Sequence, residues 1–119
     1  MRQGKNWGYT TKIFQSEVNS VYHLEINKDG YCSEHYHNHK LNEFYVILGV
    51  LEITIWQQDD DGNETGVKDI TLLASGQSTR IPPSLYHKFK AITKCEAIEI
   101  YQVLLTEPDI ERRTEGGLK

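Results

Sequence analysis

Short apolar runs separated by turn-forming residues follow one another along most of the chain. The longest run, EFYVILGVLEITIW at 43–56, is interrupted at Gly49, and its second half alternates in polarity. Alternation of this kind is typical of a strand that buries one face. Further strands are predicted at 21–26, 69–73, 78–81, 86–92 and 96–105. Because no segment between residues 1 and 105 has a helical period, the pattern predicts an all-β sandwich or barrel.

The stretches between these runs contain residues that form turns. In the segment 27–30, the pair Asp29-Gly30 tolerates positive φ and predicts a turn. The hydrophilic segment 57–66 (QQDDDGNETG) has three consecutive aspartates. However, the twelfth position counted from Asp59 is Ile70, whereas an EF-hand loop needs a glutamate there. This segment is therefore predicted to be a hairpin loop.

Length and charge restrict the classes of function. The 119 residues predict one domain, with an N-terminal strand or arm at 1–20 and a charged tail at 106–119. The net charge of −4 disfavours nucleic acid as a partner, because phosphate binding needs a basic surface. We find no apolar run of about 18 residues and no apolar leader, and so expect a soluble cytoplasmic protein without a membrane partner. Cys32 and Cys95 are expected to be free thiols.

Four of the five histidines, together with one glutamate, have the spacing of a metal site. His35, His37 and His39 are two residues apart, so on an extended segment their imidazoles project from one side. Crowded imidazoles repel one another once protonated, whereas a divalent metal binds their neutral form. Glu43 follows four residues after His39, and His87 belongs to a remote strand. The alternative interpretation is a solvated histidine-rich loop.

These residues and the glycines around them resemble the two sequence motifs of the cupin family. The first motif is a glycine, an HxH pair, three or four residues, a glutamate and a later glycine, and the segment 30–49 is similar to it. The second is a glycine, a proline and a histidine, and the segment 76–87 is similar to it. Compared with the usual first motif, the gap from Gly30 to His37 is one residue longer and the gap from Glu43 to Gly49 is one residue shorter. Ser84 and Ala91 stand where glycine and asparagine are common.

The resemblance implies a cupin β-barrel, also described as a double-stranded β-helix or jelly roll, that holds one divalent metal ion. The ligands that it implies are His37, His39, Glu43 and His87. The spacing also permits His35 and His37 as the HxH pair that binds the metal, with His39 close to these ligands but not bound to the metal. The ligand types do not distinguish zinc, iron, manganese and nickel.

Within the cupins, the chain resembles the type II mannose-6-phosphate isomerase group. Trp7-Gly8-Tyr9 resembles the start of that group, the segment 35–40 (HYHNHK) its histidine-rich segment, and 107–113 (EPDIERR) its acidic tail. His35 and Lys40 depart from the group, which has glutamine and arginine there. The resemblance implies a small-molecule substrate, a sugar or sugar phosphate, and isomerase-like chemistry.

Two other functions remain open, because fold alone does not determine function. A similar ligand set occurs in non-haem Fe(II) cupin dioxygenases, and some small cupins only bind a metabolite or a metal. A basic pocket beside the metal would favour the isomerase, an apolar pocket the dioxygenase, and a filled barrel a structural role.

The isomerase hypothesis gives further side chains a role. The metal would polarise a carbonyl group, and His35 is the candidate catalytic base. If the ligands face the interior, Tyr45 and Phe89 line the same cavity. Arg80 is a candidate anion-binding residue. We also expect a homodimer, because pairing covers the open edges of small sheets.

Overall fold

The computed structural model describes residues 1–37 and 39–103, and they form an all-β chain, as the apolar pattern predicted. The strands are β1 (Arg2–Lys5), β2 (Gly8–Gln15), β3 (Asn19–Ile26), β4 (Lys40–Leu48), β5 (Leu51–Gln58), β6 (Glu64–Leu73), β7 (Ser78–Ile81), β8 (His87–Ala91) and β9 (Cys95–Val103). Over these residues, no helix is long and apolar enough to cross a membrane. The predicted tail at 106–119 lies outside the described residues.

The strands form two antiparallel sheets. The larger sheet has the order β1-β2-β3-β9-β4-β7, and the smaller sheet has the order β6-β5-β8. The segment that precedes β4 runs along the free edge of β8, through bridges between Tyr31 and Lys90 and between His35 and His87. This edge contact brings the histidine-rich segment to the strand that begins with His87.

The core lies between the inner faces of the two sheets. The larger sheet contributes Leu24, Ile26, Phe44, Val46, Ile81, Cys95 and Ala97, and the smaller sheet Leu51, Ile53, Leu73, Phe89 and Ala91. The rings of Phe44 and Phe89 meet edge to face across the core, with their centroids 5.9 Å apart. Burial of each large apolar side chain stabilises the fold by about 1.5–3 kcal/mol.

The long apolar run at 43–56 is divided between β4 and β5, and Gly49 lies between them with a φ of +90°. The predicted hairpin loop after β5 is shorter than the segment 57–66, because Gln58 already pairs with Glu64. At the tip of this hairpin, Asp59 Oδ1 accepts backbone hydrogen bonds from Asp61 and Asn63. The aspartates thus form a turn, as the sequence analysis predicted.

The orientation of β4 differs from the one assumed for a site that contains Glu43. The even-numbered residues Asn42, Phe44 and Val46 are buried, each at most 1 % exposed. The alternation of a strand then places Glu43 and Tyr45 on the outer face. Apolar side chains occupy both faces of this strand, so the sequence pattern did not indicate which face is buried.

Candidate metal centre

Three histidines from two segments form a compact cluster at one end of the core. The nitrogen atoms that His35, His37 and His87 could offer to a metal all lie within 4.8 Å of one another. The ring centroids are 4.4 Å apart for His35 and His87, 5.1 Å for His35 and His37, and 5.5 Å for His37 and His87. A spacing this small is suited to the coordination of one ion by three imidazoles.

Backbone hydrogen bonds hold the two segments in register. The His35 amide donates to the His87 carbonyl at 3.1 Å, and the His87 amide donates to the His35 carbonyl at 2.9 Å. Two residues further on, the His37 carbonyl accepts a hydrogen bond from the Ser84 amide at 2.6 Å. Ser84 has a φ of +73°, a left-handed conformation, at the corner before β8. The main chain, rather than loop packing alone, therefore determines where the three imidazoles lie.

The hydrogen bonds of the rings leave their outer nitrogens available. His35 Nδ1 donates to the Ser33 carbonyl at 2.8 Å, and His87 Nδ1 donates to the Leu85 carbonyl at 3.0 Å. Because a carbonyl only accepts, the neutral rings carry their proton on Nδ1 and present a lone pair at Nε2. His37 Nε2 and His87 Nε2 are buried without a hydrogen-bond partner among the described residues. His87 combines an anchored Nδ1 with a free Nε2, whereas His35 has the anchored Nδ1 and His37 the free Nε2. These features fit the three residues to a metal ion.

Burial also favours the protonation state that binds metals. Burial lowers the pKa of His87 to about 4, an effect that the Leu85 carbonyl opposes and that His35 and His37 increase. The pKa of His37 is lowered chiefly by burial, and further by His35 and Lys40. At neutral pH both rings are therefore neutral, which is the state in which imidazole coordinates a cation.

Not all of the residues predicted from the sequence reach this cluster. His39 is exposed. Glu43 lies on the outer face of β4, where its Oε2 is 3.7 Å from Nε of the exposed Arg80. Tyr45, on the same outer face, is 43 % exposed, whereas Phe89 is buried and lines the cavity beside the histidines. The structure thus brings His35, His37 and His87 together but does not bring His39 or Glu43 to them.

A cavity of about 470 Å³ opens beside the cluster. His35 and His37 lie on its wall with Trp7 and Phe89, whose rings contact each other edge to face. The polar part of the wall includes Lys5, Lys40, Ser20, Ser33, Glu99 and Tyr101. The cavity therefore combines an aromatic side with a polar side that contains two lysines and one carboxyl group.

A buried polar network that was not predicted from the sequence lies next to His37. The ring of Tyr101 lies 5.0 Å from that of His37, and its hydroxyl donates to Glu99 Oε2 at 2.9 Å. Asn42 Nδ2 contacts the same Glu99 oxygen at 3.4 Å. Burial raises the pKa of Glu99 to about 7, although the hydrogen bonds from Tyr101 and Asn42 oppose this rise. The pKa of Tyr101 is raised by burial and by Glu99.

One sequence feature could have indicated this network. Alternation along β9 does not, because the even positions are apolar at Ile98 and Ile100 whereas the buried face contains Glu99. If His35 and His37 are the HxH pair of the first cupin motif, four residues separate His37 from position 42 and six separate position 42 from Gly49. Asn42 then stands at the position of the motif's glutamate.

No protein-family model matches this sequence, and no curated protein sequence matches it. Solved structures do match its fold. KdgF from Halomonas sp. has 14 % identity and a TM-score of 0.70, with 88 % of this chain and 89 % of that chain covered. The cupin domain of Cnp3 from Schizosaccharomyces pombe has 13 % identity and a TM-score of 0.66, covering 80 % and 64 % of the two chains.

A variant of oxalate decarboxylase from Bacillus subtilis has 19 % identity and a TM-score of 0.72. The match covers 87 % of this chain but 27 % of that one, so this chain spans about a quarter of the decarboxylase. At these identities the likeness concerns the fold alone. The chain therefore has the cupin fold, with the two facing sheets of a jelly roll and a three-histidine cluster at a cavity.

Proposed function

We propose that this cupin-fold protein is a metal-dependent enzyme that acts on a small molecule, with isomerase-like chemistry on a sugar or, better matched to the lysines, a sugar phosphate. The observation that carries the proposal is the three-histidine cluster, of which His35 and His37 line a cavity that also contains lysines. The cluster supports a divalent metal, and the lysines support an anionic substrate.

The proposed ligands are His35, His37 and His87, in place of the set with His39 and Glu43. A buried ring nitrogen without a partner costs about 1–3 kcal/mol, and the cluster has two such nitrogens, in His37 and His87. A bound cation would remove that cost. Bacillus subtilis oxalate decarboxylase, which has a similar fold, contains Mn(II) centres, and this supports a metal in the same kind of scaffold.

The cavity supports a substrate with a negatively charged group. Its volume of about 470 Å³ lies in the usual range for small-molecule sites, about 300–1,000 Å³. Lys5 and Lys40 line it and have no ion-pair partner in the described part of the chain. A basic pocket beside the metal is the feature that favours the isomerase over the dioxygenase. These two lysines take the role proposed for Arg80, which lies on the outer face with Glu43.

The proposed chemistry is the movement of a proton between adjacent carbons of the substrate. A bound divalent metal supplies a Lewis acid that polarises the substrate carbonyl. His35 belongs to the cluster, so we assign the proton transfer to Glu99, which lines the cavity. Glu99 Oε2 is held by Tyr101 and Asn42, while Oε1 has no hydrogen bond to a described residue. The carboxyl group is thus fixed in place with one oxygen free.

Elemental analysis of purified variants tests the metal centre. We expect about one metal ion per wild-type chain, and its loss on His35→Ala, His37→Ala or His87→Ala. His39→Ala is the matched control, because it removes an exposed imidazole from the same segment and should leave the metal content unchanged. Unchanged metal content in His87→Ala would contradict the proposed ligand set, and loss in His39→Ala would restore the set predicted from the sequence.

An isomerisation assay on the metal-loaded protein tests the chemistry. Hexose and pentose phosphates are incubated with wild type and Glu99→Gln, and aldose–ketose conversion is measured. We expect conversion by wild type and a loss of at least about 100-fold in Glu99→Gln, as for removal of a general acid or base. Absence of conversion across the panel would refute the isomerase assignment and leave the metal centre standing.

A further inference from the structure

Asn42 is a fully buried polar residue on the inner face of β4. It is 0 % exposed and lies opposite Tyr101 in the register of β4 and β9. Opposite residues of an antiparallel pair project from the same face. The ring of Tyr101 in turn lies against the ring of His37, at 5.0 Å between centroids. Asn42 therefore shares its immediate surroundings with one of the clustered imidazoles.

Hydrogen bonds determine which way the amide of Asn42 points. Its Nδ2 donates to the Ile100 carbonyl at 3.2 Å and to Glu99 Oε2 at 3.4 Å. Both neighbours are oxygen acceptors, so a flipped amide would place oxygen against oxygen at both. The oxygen Oδ1 must then occupy the other side of the amide. It is buried there and has no hydrogen-bond partner among the described residues.

Three buried side-chain atoms lack a partner in residues 1–37 and 39–103, and they are His37 Nε2, His87 Nε2 and Asn42 Oδ1. Asn42 Oδ1 presents lone pairs, and His87 Nε2 presents one because its Nδ1 donates to the Leu85 carbonyl. His37 Nε2 presents one in the tautomer that carries its proton on Nδ1. Acceptors do not satisfy one another, so only a donor or a cation placed among them would do so.

We propose that Asn42 Oδ1 is the fourth protein donor of the metal centre, which makes the ligand set three imidazoles and one amide oxygen without any formal charge. The Oε2 atom of Glu99 then also orients the amide of Asn42, while Oε1 stays free for the proposed proton transfer. This inference rests on the proposed function, because it assumes that His35, His37 and His87 bind a divalent cation. Amide oxygens are ordinary ligands of such cations when they are held in place.

The test is a titration of Co²⁺ into the metal-free full-length protein, followed by calorimetry and by the visible d–d spectrum. In Asn42→Leu we expect the affinity to fall at least about 10-fold and the spectrum to change, because one oxygen donor is lost. In Asn42→Asp we expect tighter binding than in wild type, because the oxygen donor stays and gains a negative charge. If Asn42 had a purely structural role, Asn42→Asp should bind Co²⁺ more weakly than wild type, because aspartate lacks the Nδ2 donor. Thr54→Val, at a buried residue of β5, controls for loss of a buried polar group elsewhere.

The outcomes separate this inference from the proposed function. If wild type binds no Co²⁺, both fail. If wild type binds one equivalent that His87→Ala loses, while Asn42→Leu keeps the wild-type affinity and spectrum, the metal centre stands and the role of Asn42 is refuted. If Asn42→Leu does not fold, Asn42→Asp decides, since an affinity equal to or below that of wild type overturns the proposal.

Discussion

Two glycines of the cupin-like motifs, Gly49 and Gly76, have nearly the same backbone conformation but different surroundings. Their φ angles are +90° and +85°. A Cβ atom on Gly49 would lie 2.2 Å from the Lys94 carbonyl oxygen and 2.8 Å from Thr93 Oγ1, whereas a Cβ on Gly76 would meet nothing within 4 Å. Alanine at the two sites therefore separates the conformational cost of positive φ from the cost of a steric clash.

The expected costs follow from this geometry. Positive φ costs a non-glycine residue about 1–2 kcal/mol. Alanine also lowers the conformational entropy of the unfolded chain, and this offsets about 0.4–1 kcal/mol of that cost. Gly76→Ala should therefore destabilise the protein by about 1 kcal/mol. In Gly49→Ala a backbone carbonyl must move by about 1 Å, and forced overpacking of this kind adds about 1–3 kcal/mol. The total for Gly49→Ala is then about 2–4 kcal/mol.

Urea unfolding followed by tryptophan fluorescence measures both changes, and thermal unfolding by circular dichroism checks them. At about 4 °C per kcal/mol for a domain of this size, Gly76→Ala should lower the Tm by about 4 °C and Gly49→Ala by about 8–16 °C. Both variants are compared with wild type in chelator, so that metal binding does not contribute. Equal losses at Gly49 and Gly76 would refute the steric argument, because the two sites share their φ.

Two further predictions concern the wall of the cavity and the core. Burial raises the pKa of Cys32 to about 11 from its ordinary value of 9.0, so at pH 8 the folded protein should alkylate at this thiol about 100-fold more slowly than in denaturant, as measured by mass spectrometry of iodoacetamide adducts. Because the folded-state pKa is raised, this thiol contributes fully to the free energy of unfolding below pH 9, and the contribution is lost as the pH rises to 11. Urea unfolding at several pH values should show this loss in wild type and not in Cys32→Ser. Phe44→Ala should cost about 3–5 kcal/mol in urea unfolding, because Phe44 is 1 % exposed and packs on Phe89; a loss below about 1 kcal/mol would mean that the core between the sheets is not packed as described.

The sequence predicted the strands better than the faces of the strands. The bounds of β5, β7 and β8 were predicted to within a few residues from turn residues and apolar runs, because these features determine structure locally. The inner face of β4 was not predicted, because residues 44–48 (FYVIL) are apolar on both sides. Which side is buried depends on the pairing of β4 with β9 and β7, and no local pattern contains that information.

The same reason explains which part of the metal site was predicted. His37 and His87 were proposed as ligands from the cupin-like spacing, and the structure brings them together with His35. The three-histidine alternation assumed a strand through position 39, but the segment pairs with β8 only through isolated bridges at Tyr31 and His35, and β4 begins only at Lys40. A bend at His39 separates its imidazole from the others.

The proposed ligands also connect the two sheets. His87 begins β8 of the smaller sheet, and Asn42 belongs to β4 of the larger one. Aromatic packing between Phe44 and Phe89 joins these two strands in the core, and a cation held by His87 and Asn42 would join them a second time. A ligand that binds only the folded state stabilises it by about 2.7 kcal/mol at 100 times its Kd. In a chain with a modest core, the metal centre would thus serve the fold as well as the chemistry, since separation of the sheets would break the site.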